Sequence, residues 1–288
     1  MKYLHLITIL LFVYGCNNPD EVAVDKQLQS TNDSLKDVPQ ISGADSLEKY
    51  SYELIPLING VIDGTKNGGA TGFFIRQNNR LFLVSAYHVF TLNNTANKQK
   101  NSTEKYDTLA IRYKKIGEAI FSYDTIDIRE IKKKNPPVFY YEYPDIYAYE
   151  IKLPSNAIIN TINSFIDTAI SSRIKEKYIV SYGYPSDSNK PTGMYFKFLT
   201  PIYQDSIQIS PDGKIFLQLK NSYIVKPESV PGMSGAPVFI NYNKEINNVQ
   251  INKTIFGGVI STHANGNTVV VKPTELYILL KRKGLLNK

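Results

Sequence analysis

From Tyr52 onward the chain is cut into short apolar runs separated by Asn, Gly, Pro and Asp. The runs at 109–113, 119–123, 178–182, 195–199 and 215–219 are rich in β-branched and aromatic residues, which favour strands. Many short strands with regular turn signals indicate an all-β barrel or sandwich. Tyrosine is used 21 times and tryptophan not at all, and 42% of the 288 residues are apolar, enough for one or two domains with a proper core. The clearest local pattern is a hairpin. Gly72-Phe73-Phe74-Ile75 and Leu81-Phe82-Leu83-Val84 are two apolar strands joined by the polar turn Gln77-Asn78-Asn79-Arg80.

Two stretches depart from the strand pattern. Ile158, Ile159, Ile162, Phe165 and Ile166 follow helix spacing, so a helical linker is expected there. Pro273-Thr274-Glu275 opens a second apolar stretch that ends in Lys and Arg, which predicts a helix running to about Lys283. The Asn- and Lys-rich segment 93–103 is expected to be an exposed loop.

The first 50 residues have a different character. An apolar run at 4–14 follows Lys2 and ends at Val13-Tyr14-Gly15-Cys16. It has the n-region and h-region of a signal peptide and is short for a membrane span. The segment 17–49 is polar, charged and poor in aromatics, as a flexible tether would be. Cys16 is the single cysteine, so no internal disulfide can form, and with three histidines a zinc site is not expected. The net charge of +7 is scattered, and Lys132-Lys133-Lys134 is the one tight cluster. No basic, aromatic-interleaved motif points to nucleic acid.

The chemistry is concentrated in Val230-Pro231-Gly232-Met233-Ser234-Gly235-Ala236-Pro237-Val238. A glycine before the serine permits a tight turn with inward amides, and one after it removes a Cβ where the next strand begins. If Ser234 attacks a carbonyl, the amides of Gly232 and Ser234 are placed to hold the oxyanion. A serine hydroxyl needs a base within hydrogen-bond reach. After removal of the signal peptide only His88 and His263 remain, and His88 directly follows the second strand of the hairpin in Ser85-Ala86-Tyr87-His88. Asp145 stands at the mouth of another aromatic strand in Tyr143-Pro144-Asp145-Ile146-Tyr147, with Asp107, Asp124 and Asp127 as competing acids. The alternative G-x-S-x-G hydrolase pattern fails: Ala236 replaces its second glycine, and only Glu245 lies between Ser234 and His263.

The order His, Asp, Ser with these flanks resembles the trypsin-like serine peptidases of the chymotrypsin clan. Gly69-Ala70-Thr71-Gly72-Phe73 resembles the glycine-rich opening of the family's first barrel, and Ser85-Ala86-Tyr87-His88 its T-A-A-H segment. Asp145-Ile146 resembles the D-I-A-L segment with Tyr147 for alanine, and Tyr182-Gly183-Tyr184-Pro185 the G-Y-P turn. Gly258-Val259-Ile260-Ser261 resembles the strand beside the specificity pocket. The match is nearer the bacterial HtrA-type and glutamyl-endopeptidase branches than digestive trypsins. Val13-Tyr14-Gly15-Cys16 resembles a bacterial lipobox, which implies lipidation at Cys16.

The resemblance implies two antiparallel β-barrels of the trypsin-like type with a short C-terminal helix. The expected division is 1–15 signal peptide, 16–50 lipidated N-terminus and tether, 51–155 first barrel, 156–176 linker, and 177–288 second barrel and helix. It implies Ser234 as nucleophile, His88 as base and Asp145 as the group orienting it, acting on a polypeptide substrate with no cofactor. Met233 stands where the family carries Asp or Asn, which argues against activation through a freed N-terminus. Glu228, Ser229, Ser261 and His263 are expected at the substrate pocket. Glu228 at its floor would favour Lys or Arg, whereas His263 with Ser229 would read an acidic side chain; both remain open. The rival reading is a non-catalytic lipoprotein that uses this fold for binding.

Overall fold

The hairpin turn is set by two asparagines. Gln77 pairs with Arg80, so Asn78 and Asn79 alone form the connection, with φ of 49° and 61°. A two-residue loop with both φ positive matches the right-handed twist of its strands, and asparagine tolerates that conformation better than most residues. The computed structural model describes residues 46–58, 61–62, 69–91, 106–134, 144–166, 178–186, 190–198, 208–209, 217–218, 221–246, 249–264, 266–282 and 284.

The first half contains β1 (Tyr52–Ile58), β2 (Val61–Ile62), β3 (Ala70–Gln77), β4 (Arg80–Ser85), the one-turn α1 (Tyr87–Thr91), β5 (Thr108–Lys115), β6 (Phe121–Asp127), α2 (Arg129–Lys134), β7 (Tyr147–Ile151) and β8 (Ala157–Ile158). The second contains β9 (Tyr178–Gly183), β10 (Thr192–Phe198), β11 (Gln208–Ile209), β12 (Leu217–Gln218), β13 (Ser222–Lys226), β14 (Pro237–Ile246), β15 (Val249–Ala264), β16 (Asn267–Val271) and α3 (Pro273–Arg282). The protein is thus mostly β, with two barrel-like antiparallel sheets and a short C-terminal helix. The second sheet closes as β10-β13-β16-β15-β14-β9. The first runs β6-β5-β1-β3-β4-β7 and stays open among the described residues, with β2 on β1 and β8 on β5.

The hairpin strands β3 and β4 are buried on both faces, which explains their unbroken apolar runs. Phe74 and Leu83 point into the first sheet's own core with Leu54, Leu109, Ile111 and Phe90. Phe73, Ile75, Phe82 and Val84 point the other way, onto Val180, Phe239, Phe256 and Val259 of the closed barrel. Leu276 and Leu280, one helical turn apart on α3, pack into this same inter-sheet layer. Pro273 at the helix start and Lys281 and Arg282 in its last turn follow the usual asymmetry of helix ends. A third cluster, including Tyr223, Met233, Val238 and Ile260, fills the closed barrel.

The helix expected around Ile158–Ile166 is absent. Ala157 and Ile158 pair with β5, Thr161 bridges to Phe74, and a 3₁₀ turn spans Ile162–Phe165. Asn163 accepts the Arg76 amide at 2.7 Å and donates back to the Arg76 carbonyl. Ile159 packs on the first core and Ile162 on the inter-sheet layer, so the helix-like spacing reflects an extended strap meeting two cores. The segments 1–45 and 93–103 lie outside the described residues, as does the linker beyond 166 up to 177.

Candidate active site

Strand pairing brings the candidate base and acid together. Ser85, the last residue of β4, pairs with Tyr147, the first of β7. His88 lies just beyond the one strand and Asp145 just before the other, so both fall at the same end of the pair. Val89 and Phe90 of α1 are buried in the first core, which fixes the single turn carrying His88. The backbone amide of His88 donates to Asp145 Oδ1 at 2.9 Å, and its Nδ1 lies 2.8 Å from Asp145 Oδ2. A carboxylate only accepts, so Nδ1 carries the hydrogen and Nε2 is the acceptor in the neutral ring.

The His88 side chain keeps 24% of its surface exposed and that of Asp145 only 6%. Burial pushes the His88 pKa down, but the adjacent Asp145 charge and its hydrogen bond raise it overall above the usual histidine value. Burial pushes Asp145 up, and the His88 charge, with hydrogen bonds from His88 and Ser261, brings it below the usual carboxylate value. The competing acids are engaged elsewhere. Asp107 accepts from Thr108, Asp124 from the Thr125 amide, and Asp127 pairs with Arg129.

The serine turn is built from the closed barrel. Met233 N–H donates to the Val230 carbonyl at 3.2 Å, Gly232 has φ of +92°, and Pro231 fixes a negative φ before it. Those three features define a type II turn, which needs glycine at its third position. Space demands glycine too, since a Cβ on Gly232 would stand 2.2 Å from the Tyr184 carbonyl oxygen. Beyond Ser234, Gly235 has φ of +87°, and a Cβ there would fall 1.9 Å from Ser85 Oγ.

Both amides expected to form the oxyanion hole belong to clamped peptides. The Pro231 carbonyl accepts from Ser186 N–H at 3.1 Å, and the Met233 carbonyl from Ala236 N–H at 2.9 Å. In a trans peptide the N–H points opposite to the C=O, so Gly232 and Ser234 turn their N–H groups away from these anchors. Among the described residues neither amide donates to a backbone carbonyl.

A β-bulge joins the two halves of the site. Ile260 pairs with Val270 and Thr262 with Val269, leaving Ser261 as the extra residue of β15. Bulges re-aim side chains. Here the buried Ser261 hydroxyl donates to Asp145 Oδ2 at 2.7 Å, while its carbonyl accepts the Ser234 hydroxyl at 3.2 Å. The Ser234 hydroxyl therefore bonds Ser261 and not His88 in this conformation.

No family model matches the chain, and no curated protein matches it. Among solved structures it is similar to the one described as "Crystal structure of Deg5", at 13% identity and a TM-score of 0.47, over 88% of this chain and 97% of that one.

The residues expected at the substrate pocket divide. Glu228 Oε2 accepts Gly266 N–H at 2.8 Å, which ties its carboxylate to the turn before β16. Ser229 is buried. The buried Ser261 aims its hydroxyl at Asp145 and its carbonyl at the Ser234 hydroxyl. His263 pairs through its backbone with Thr268, and its side chain lies outside the described residues. Met233 is fully buried, its Sδ set against Gly183 so closely that a Cβ there would come within 2.5 Å. An apolar side chain thus fills the space behind the serine turn. Cys16 lies outside the described residues. Sequence reasoning missed the link from Ser261 to the acid, since only the strand register shows which residue is bulged.

Proposed function

We propose that this chain is a trypsin-like serine endopeptidase acting on polypeptides. The observation that carries the reading is the two-point bond of His88 to Asp145, whose carboxylate also accepts the Ser261 hydroxyl. His88 Nε2 takes the Ser234 hydroxyl proton as the oxygen attacks the scissile carbonyl. The carbonyl π electrons move to oxygen, and the Gly232 and Ser234 amides stabilise that charge. As the tetrahedral species collapses, the C–N bond breaks and His88 returns the proton to the leaving amine. Water then repeats the sequence on the acyl-enzyme and restores Ser234. Asp145 holds the tautomer and stabilises the imidazolium.

The signal-like run and Cys16 support placing this activity outside the cytoplasm of a bacterial cell, tethered by lipid through the polar segment before Tyr52. Mature protein should partition into detergent, and Cys16→Ser should abolish that partition. Recovery of unmodified Cys16 in soluble native protein would remove the anchor from the account.

The bond from Ser234 to the Ser261 carbonyl favours a second reading, a binding lipoprotein in which serine and histidine are uncoupled. Purified wild type and Ser234→Ala decide between them on unfolded polypeptide and on a fluorogenic peptide library. The peptidase reading expects turnover in the wild type alone. Equal rates in both, or none in folded wild type, would favour the binding reading.

A further inference from the structure

We propose that Thr71 is a positioning residue, whose hydroxyl sets the oxyanion-binding turn against the sheet that carries His88. The kinetic consequence rests on the peptidase reading; the structural one does not. His88 and Asp145 come from the first sheet and Ser234 from the closed barrel. Some contact must therefore fix the spacing between the two parts.

Thr71, the second residue of β3, is fully buried and uses every polar group it has. Its N–H donates to the Ser234 carbonyl at 2.9 Å. Its Oγ1 donates to the Gly232 carbonyl at 2.8 Å and accepts the Tyr184 N–H at 2.8 Å. Its carbonyl accepts the Ser85 hydroxyl at 2.7 Å. Ser85 closes β4, directly before the turn that presents His88. A continuous line of hydrogen bonds thus runs from Ser85, at the end of the strand that leads into the His88 turn, through Thr71 to both residues whose amides would hold the oxyanion.

The side chain has a specific task in this line. Gly232 at φ +92° has a broad range of accessible ψ, so the following peptide is set by its hydrogen bonds: Met233 N–H on the Val230 carbonyl at 3.2 Å, and the Gly232 carbonyl on Thr71. The Thr71 hydroxyl is the described partner that holds the Gly232 carbonyl. Valine at this position keeps the shape, removes the donor, and leaves that carbonyl and the Tyr184 amide without it. Serine keeps the hydroxyl. A threonine that only fills space would not distinguish the two.

The test compares full-length wild type, Thr71→Val and Thr71→Ser in kcat and KM on one peptide substrate, in affinity for a matching peptide boronate, and in crystal structures of the turn. Thr71→Val should lower kcat by about 10- to 100-fold with KM little changed, somewhat less than the loss of a whole oxyanion donor. Boronate affinity should weaken in proportion, and Thr71→Ser should restore all three values. If Thr71→Val melts below the assay temperature, Thr71→Ala supplies the same readouts. A Thr71→Val enzyme with unchanged kcat and boronate affinity overturns the proposal. An inactive wild type counts against the peptidase reading, and the crystallographic arm then decides this one: a rotated Gly232–Met233 peptide supports it and an unmoved one overturns it.

Discussion

The two halves of the site are held in opposite ways. On the first sheet the side chains are fixed: His88 meets Asp145 at two points, and a third donor from Ser261 completes the carboxylate. On the closed barrel the backbone is fixed and the side chain is not. The turn from Pro231 to Ala236 is tied through Ser186, Thr71, Ile260 and its own internal bonds, while the Ser234 hydroxyl has one long contact at 3.2 Å. Each half matches its proposed task. A general base must keep one tautomer and one orientation, whereas an oxyanion site must hold amides rigid while the serine oxygen moves onto substrate.

The largest effects should come from the reacting groups. Ser234→Ala and His88→Ala should each lower kcat by about 10⁵- to 10⁶-fold, and the double variant should be little worse, because the groups act as a unit. Additive losses in single-turnover assays would separate the two halves that the account joins.

Next is the fixed side chain on the first sheet. Asp145→Asn should lower kcat on the order of 10⁴-fold. The pH profile gives the sign. In the proposed mechanism His88 must be neutral, so kcat/KM should climb as pH rises through the His88 pKa, which Asp145 holds above the usual value near 6.5. Removing the carboxylate charge should move that acid limb to lower pH as well as lowering the plateau. A limb that stays in place would assign the shift to another group, and Asp127→Asn serves as the control.

The fixed backbone of the second half comes third. Gly232→Ala puts a methyl group against the Tyr184 carbonyl at a φ that L-residues rarely adopt. It should lower kcat by about 10²- to 10³-fold through loss of one oxyanion amide. The backbone strain should also cost about 1–3 kcal/mol in denaturant unfolding. Wild-type kcat in this variant would mean that the turn is not the oxyanion site.

The smallest effect concerns the joint between the halves. Ser261→Ala removes one donor from Asp145 but leaves both His88 contacts, so kcat/KM should fall by about 10-fold and by no more than about 100-fold, since a hydrogen bond to a charged group is worth about 1.5–3 kcal/mol. A loss as large as that of Asp145→Asn would make Ser261 a principal member of the set.

The strand-rich character and the His–Asp–Ser order were legible because each rests on local pattern. Apolar runs at 72–75 and 81–84 read as strands, and the Asn78-Asn79 turn between them is a local choice. The Pro231-Gly232 pair also carries its own turn type. Features that depend on register were not legible. Ser261 reaches Asp145 only because a bulge shifts β15 by one residue, and no local pattern marks that position. The isoleucines at 158–166 mimicked a helix because two cores lie on either side of an extended strap. That the first sheet stays open among the described residues was likewise beyond reach, since closure depends on how strands far apart in sequence meet.

The most direct measurement is covalent. Folded protein is treated with a fluorophosphonate and the modified residue is located by peptide mapping, in the wild type and in His88→Ala. One adduct is expected, on Ser234 Oγ, formed rapidly in the wild type and slowed at least about 10³-fold without the base. Absence of an adduct on folded wild type, or labelling of Ser234 at the same rate without His88, would contradict that expectation.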